Sequence, residues 1–194
     1  MLKTIGKPVA PIDSVDLLVE CHGRIRGFLA MARRLGSAPD ADAASIRDAA
    51  AEVHRYFAEA LPLHARDEEE SVLPRLRGRA PSVDAELELM VQEHREHESA
   101  MGVLVNTCGR LAEEPSRHGE LGPAVASASA ELERHFADHL WREEGVIFPA
   151  MRRLFDRATD AAIAGEIRQR RADAVRPTPW RRTSAGPLAN PGTR

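Results

Sequence analysis

Cysteine is almost missing from this 194-residue chain: Cys21 and Cys108 are the only two, and they form no C-x-x-C pair. That count excludes a disulfide scaffold, and with no thiolate ligand set it argues against an iron–sulfur cluster. Both are read as reduced core thiols, Cys21 standing beside a candidate ligand. Aromatic residues supply only 4% of the chain, and no run approaches the roughly 18 apolar residues that suggest a membrane span. The start, Met1 to Pro11, lacks the apolar centre of a signal peptide, so a cytoplasmic location without membrane contact is expected. A formal net charge of −3 offers no general attraction to nucleic acid or to an acidic membrane. There is no Gly-rich phosphate loop and no Ser-His-Asp set. No catalytic constellation of these kinds is visible in the residues.

What is abundant is Ala, Leu, Glu and Arg, with Gly and Pro gathered between long stretches, the composition of a helical bundle. The length suits one domain with a core that needs no staples. Asp13-Ser14 offers an N-cap, and Val15, Leu18, Val19, Ile25, Leu29 and Leu35 follow helical spacing until Gly36. A second run from about Ala41 carries Ile46, Ala50, Val53, Phe57, Ala60 and Leu61, is expected to bend at Pro62, and ends near Pro74. Gly78 to Ser82 reads as a loop, and Val83 to about Leu111 as a third helix. Glu114 to Pro123 reads as loop again, before a fourth helix from about Val125 to Pro149. The expected fold is all-α, an up-down four-helix bundle with a short C-terminal fifth helix, about Ala150 to Ala172, capping one end. Residues 1–172 form the expected domain. The Pro- and Arg-rich segment 173–194 has too little apolar surface to offset its ordering entropy and is expected to be a disordered tail, with docking of Trp180 and Arg181-Arg182 as the weaker alternative.

The chain carries one pattern written twice. His64-Ala-Arg-Asp-Glu68-Glu69, closed by Pro74, recurs as His139-Leu-Trp-Arg-Glu143-Glu144, closed by Pro149. Each copy follows a further histidine, His22 before the first by 42 residues and His94 before the second by 45. Residues four apart share a helix face, so His64 with Glu68, and His139 with Glu143, turn an imidazole and a carboxylate toward one point. A carboxylate bridges two cations, whereas an imidazole caps one. Four capping histidines and two bridging glutamates thus compose a candidate dinuclear site, whose nitrogen and oxygen donors suit iron, manganese or zinc rather than calcium.

Taken singly, each pair also reads as an ordinary buried hydrogen bond, and His22 or His94 as a satisfied core histidine. The repetition favours ligation, because two carboxylates buried among Leu and Val without a cation would be costly. Glu69 and Glu144 point away from the ligand face, toward either outer support of the site or solvent. His97 and Glu98 lie within a turn of His94, completing the site, tuning it or standing apart from it. His135 shares a face with His139 but has no counterpart in the first half, where Ala60 aligns. Tyr56, Met90 and Met101 read as core packing, His118 as a solvated loop residue, and His54 has no assigned role.

A histidine, H-x-x-x-E-E with V-L-P, then E-H, then H-x-x-x-E-E with I-F-P resembles the hemerythrin-like HHE cation-binding family over about Ser14 to Pro149. The resemblance implies a four-helix bundle around an oxo- or hydroxo-bridged di-iron centre, with manganese or zinc as other metals. By matching positions the ligands would be His22, His64, Glu68, His94, His139 and Glu143. The implied partners are small molecules, namely dioxygen, peroxide or nitric oxide. An iron- or oxygen-sensing regulatory protein without turnover is the alternative, and a metal-free structural bundle a third reading. One departure stands out. Oxygen-carrying hemerythrins use five histidines, including an H-x-x-x-H pair on the third helix, whereas here the residue four after His94 is Glu98. Reversible oxygen carriage is accordingly placed in doubt, and the more open coordination points to reaction with peroxide or other small ligands.

Overall fold

The computed structural model describes residues 13–38 and 41–175, all of it helix and connection without a strand among the described residues. Five helices follow one another: α1 (Ser14–Gly36), α2 (43–76), α3 (Pro81–Glu113), α4 (118–154) and α5 (Arg157–Val175). A 3-10 turn, Pro115–Arg117, leads into α4. None is long and apolar enough to cross a membrane among the described residues. The segment expected to be a disordered tail lies, from residue 176 on, outside the described residues.

Local chemistry sets the helix starts. Asp13 accepts the Asp16 N–H at 2.7 Å and the Asp16 carboxylate accepts the Asp13 N–H, a reciprocal box that opens α1. Asp42 accepts the N–H groups of Ala44 and Ser45 at the head of α2. Pro81 opens α3, two residues before the expected start, because its fixed φ suits the first helical position. The preceding reversal needs Gly78, whose φ of +79° is forbidding to other residues and whose N–H donates to Asp84.

Two layers of apolar side chains hold the bundle together. One joins Ile25, Leu29 and Leu35 of α1 to Ile46, Val53 and Phe57 of α2, Leu104 and Leu111 of α3, and Leu121, Leu132 and Phe136 of α4. The other joins Val15 and Leu18 to Val72, Leu76, Val83, Leu87, Met90, Ile147 and Met151, and receives Ile163 and Ile167 from α5. α1 and α3 run from the second layer to the first, α2 and α4 from the first to the second. This is the expected up-down order, with α4 closing against α1. Gly36 makes that closure possible: a Cβ there would stand 2.5 Å from the Ala126 backbone nitrogen. Each fully buried Leu or Ile contributes roughly 1.5–3 kcal/mol of transfer free energy.

Several boundaries differ from expectation for one reason: proline is absorbed rather than obeyed. α2 continues through Pro62 and past Pro74 to Leu76, and α4 continues through Pro149 to Leu154, so the fifth helix starts at Arg157 rather than near Ala150. Ahead of these prolines the helix widens into π turns, at Tyr56–Ala60, Asp67–Val72 and Glu143–Ile147. The N–H of Leu61 reaches back five residues to the Tyr56 carbonyl, Leu73 to Glu68 and Phe148 to Glu143. Each donor directly precedes a proline, and the wider turn accommodates the missing N–H and the ring that would crowd an α turn. α4 likewise starts at His118 rather than Val125 and carries Pro123 inside it. The real break, at Phe155-Asp156, is marked by Asp156 accepting the Thr159 N–H, an N-cap for α5.

Candidate metal centre

Between the two apolar layers every bundle helix contributes polar side chains at the same level. His22 follows Leu18 and precedes Ile25 on α1; Glu68 precedes Val72 on α2; Glu143 lies between Leu140 and Ile147 on α4. His22, His64, Glu68, His139 and Glu143 are buried, and His94 is nearly so. The π turns put Glu68 and Glu143 on this level. From His64 through Glu68 and Val72 to Leu76 the buried positions recur every four residues, whereas a regular α-helix drifts about 40° per such step. The wide turn absorbs that drift, and the carbonyls closing the turns belong to Glu68 and Glu143 themselves.

The six residues form two overlapping groups. His22 and His64 stand with Glu68 and Glu143, and His94 and His139 stand with the same two glutamates, all ligand atoms of a group lying within 4.8 Å of one another. Glu68 presents Oε1 to His64 Nε2 at 3.2 Å and Oε2 to His94 Nε2 at 3.3 Å. Glu143 presents Oε2 to His22 Nε2 at 3.1 Å and Oε1 to His139 Nε2 at 3.2 Å. Each carboxylate thus faces both groups, one oxygen to each. Yet His22 Nε2, His64 Nε2 and all four of these carboxylate oxygens are buried without a hydrogen bond among the described residues. Six convergent, unsatisfied donor atoms of nitrogen and oxygen type fit a pair of cations, and they are costly without one.

Three of the four outward nitrogens are tied down instead, and His64 Nδ1 is buried without a hydrogen bond among the described residues. His22 Nδ1 stands 2.8 Å from Glu144, His94 Nδ1 2.7 Å from Glu69, and His139 Nδ1 2.9 Å from Glu93. Each carboxylate accepts the Nδ1 proton and so turns Nε2 inward. Glu69 and Glu144 therefore support the site from outside, each serving a histidine of the other half. Glu93 was not foreseen, although its place next to His94 was available in the sequence. The Cys21 sulfur lies beside the His64 ring.

Charge in this interior is strongly coupled. Burial lowers the pKa of His22, but Glu143 and Glu68 outweigh it and raise the value to about 10. Burial of His94 is likewise outweighed by Glu68 and Glu69, which raise it to about 9. Burial would raise Glu68, but the surrounding His64, His22 and His94 hold it well below the ordinary carboxylate range. Glu143 is raised, by burial and by the negative charge of Glu68.

The remaining candidates stand apart from both groups. His97 is buried, stacks on His135, lies tilted against Phe136 and meets His139 edge-on, its pKa lowered to about 4 by burial and by the neighbouring His139, His135 and His94. His135 is half-buried behind it. Glu98 is exposed at the rim of a cavity of about 400 Å³ whose wall includes His64, His94, His97 and His139 with Leu61, Met101 and Phe136. Met101 thus lines this cavity as well as packing the core, whereas Met90 is core and Tyr56 stacks on Phe28 at 4.0 Å. His54 donates to the Val105 carbonyl. His118, expected to be a solvated loop residue, is half-buried and donates to the Leu35 carbonyl at 2.6 Å, closing the C-terminal end of α1.

No curated protein matches the chain. The model of the hemerythrin HHE cation binding domain matches residues 13–121, which takes in His22, His64, Glu68 and His94 and stops short of His139 and Glu143. Those last two positions rest on the repeated motif and on the geometry of α4. With more than half of its length matched and two buried His/Glu groups suited to metal, this chain belongs to the hemerythrin HHE cation-binding domain family.

Proposed function

We propose that the chain holds two metal ions, one on His22 and His64 and one on His94 and His139, with Glu68 and Glu143 shared between them, and that the native pair is iron. The observation that carries this reading is the sharing: each buried carboxylate turns one oxygen to each group. A cation on each group would satisfy the unbonded donor atoms. When bound, two irons supply the electron exchange needed to bind or react with dioxygen, peroxide or nitric oxide.

The protein's part is to admit the small molecule and control what accompanies it. The cavity beside His64, His94 and His139 gives access to the second group, and Leu61, Met101 and Phe136 make its wall largely apolar. Glu69, Glu93 and Glu144 keep three imidazoles oriented through their outer nitrogens. Glu98, where oxygen carriers resembling this chain place a histidine, is exposed and outside both groups. One nitrogen ligand fewer leaves a position open to the small molecule, which favours reaction over reversible carriage.

The test is metal content and spectrum together. Protein produced with iron and purified without chelator should carry close to two irons per chain, with near-ultraviolet charge-transfer bands, and should consume peroxide faster than the same amount of free iron. A folded chain that refuses iron would remove the proposal. Two irons without accelerated peroxide loss would remove the peroxide chemistry and keep the centre.

A further inference from the structure

The two halves of the centre are completed by different means. In the second half, the residue before His94 is Glu93 and the residue before Glu143 is Arg142. These two pair directly, the Arg142 guanidinium donating to the Glu93 carboxylate whose other oxygen holds His139 Nδ1. A ligand-orienting contact and its counter-ion are therefore both supplied from inside the bundle.

The corresponding residues of the first half cannot do this. The residue before His22 is Cys21 and the residue before Glu68 is Asp67, a thiol and a carboxylate where the other half has a carboxylate and a guanidinium. Asp67 is fully buried, and an unpaired carboxylate there would be costly. The missing cation arrives from α5. Arg171 places Nη1 2.5 Å from Asp67 Oδ2 and Nη2 3.4 Å from Cys21 Sγ, so one guanidinium spans the two positions that Glu93 and Arg142 fill by themselves. Arg170 adds a 2.7 Å contact to the other Asp67 oxygen and another to the Ser71 hydroxyl. Both anchors lie in the π turn Asp67–Val72 that carries Glu68. Cys21 in turn lies beside His64. The contacts of Arg170 and Arg171 fall on Asp67, Glu70, Ser71 and Cys21, all beside the first half.

The structure assigns Arg171, backed by Arg170, as a positioning residue chiefly for the His22/His64 half, resting on the proposed ligand set. α5 then does more than cover one end of the bundle with Ile163 and Ile167: it is also the outer support of one metal position. Arg is suited to the task because its planar fork presents two separate nitrogens at fixed spacing, whereas Lys has a single ammonium.

The experiment uses the full chain, metal-free, titrated with Co²⁺ against a chromophoric chelator, with circular dichroism as the fold control. The wild-type chain should bind two Co²⁺; a chain that binds none overturns the ligand set itself, before any variant is made. His139→Ala leaves the first position to be read alone, and His64→Ala the second. Added to His139→Ala, Arg171→Ala should weaken Co²⁺ binding about 10- to 100-fold and change its visible d–d bands. Added to His64→Ala, it should weaken binding clearly less, through the shared Glu68 only, while Glu93→Gln there should weaken it directly. Should Arg171→Ala unfold the chain, Arg171→Lys decides, with the same selective loss expected. Equal effects on both positions, or none on the first, overturn the assignment.

Discussion

At the scale of single residues the centre is a problem of protons. In the metal-free chain His22 and His94, at about 10 and 9, keep their protons at neutral pH because Glu68 and Glu143 face them. A cation must displace those protons from the same nitrogens. A histidine whose pKa rises on folding stabilises the fold fully below its ordinary value of 6.5, and that contribution fades as pH climbs through the raised value. Two opposite trends between pH 7 and 10 are therefore expected. The urea midpoint of the metal-free chain should fall, and the apparent metal affinity should rise with proton release on binding. Chemical denaturation and competition titration across that range measure both, and a metal-free midpoint independent of pH would refute the charge arrangement. The six residues of the inner groups were legible because the pattern is written twice and helical periodicity brings positions four apart together. Of their outer partners only Glu69 and Glu144, repeated beside the two glutamates, were legible, and then as one of two readings. Glu93 and Cys21 differ in chemistry though they occupy equivalent places, so comparing the halves gave no repeated letter, and Asp67 and Arg171 meet only through folding.

At the scale of elements the decisive feature is the π turn. Hydrophobic spacing made the helices and their up-down order legible, but assigned Pro62, Pro74 and Pro149 to bends or ends. A proline has two outcomes in a helix, a break or a widened turn, and the apolar residues beyond it decide. Leu76 after Pro74, and Ala150 and Met151 after Pro149, bury in the second apolar layer, which draws the helix onward. The turn that results places Glu68 and Glu143. Replacing Pro74 by Ala restores an N–H able to bond four residues back and lets the turn tighten into regular helix. Such a variant should keep or gain helical signal and thermal stability in the absence of metal, yet lose metal affinity by about 10-fold or more, since a ligand carboxylate rotates away. Circular dichroism with a metal titration separates the two effects. Undiminished affinity would mean that the turn is held by tertiary packing and not by the proline.

At the scale of the whole molecule, two apolar layers flank a polar one that, without cations, opposes the fold they drive. Glu68 and Glu143 are adjacent and buried, and the raised pKa of Glu143 expresses their repulsion. Metals turn this layer from a liability into a tie between four helices, because each proposed group draws ligands from α1, α2 and α4 or from α2, α3 and α4. At free metal one hundred times its Kd, each ion adds about 2.7 kcal/mol to stability, so two add about 5 kcal/mol. A domain of this size shifts its Tm by roughly 2–4 °C per kcal/mol. Removing both ions with a chelator should therefore lower the Tm by about 10–20 °C while leaving the helical signal in place, as neither apolar layer depends on metal. Calorimetry with and without chelator measures this directly. If the stripped chain melts in one transition, the two layers still fold as a unit through the strained polar level between them. If it melts in two, the metals are what couple one end of the bundle to the other.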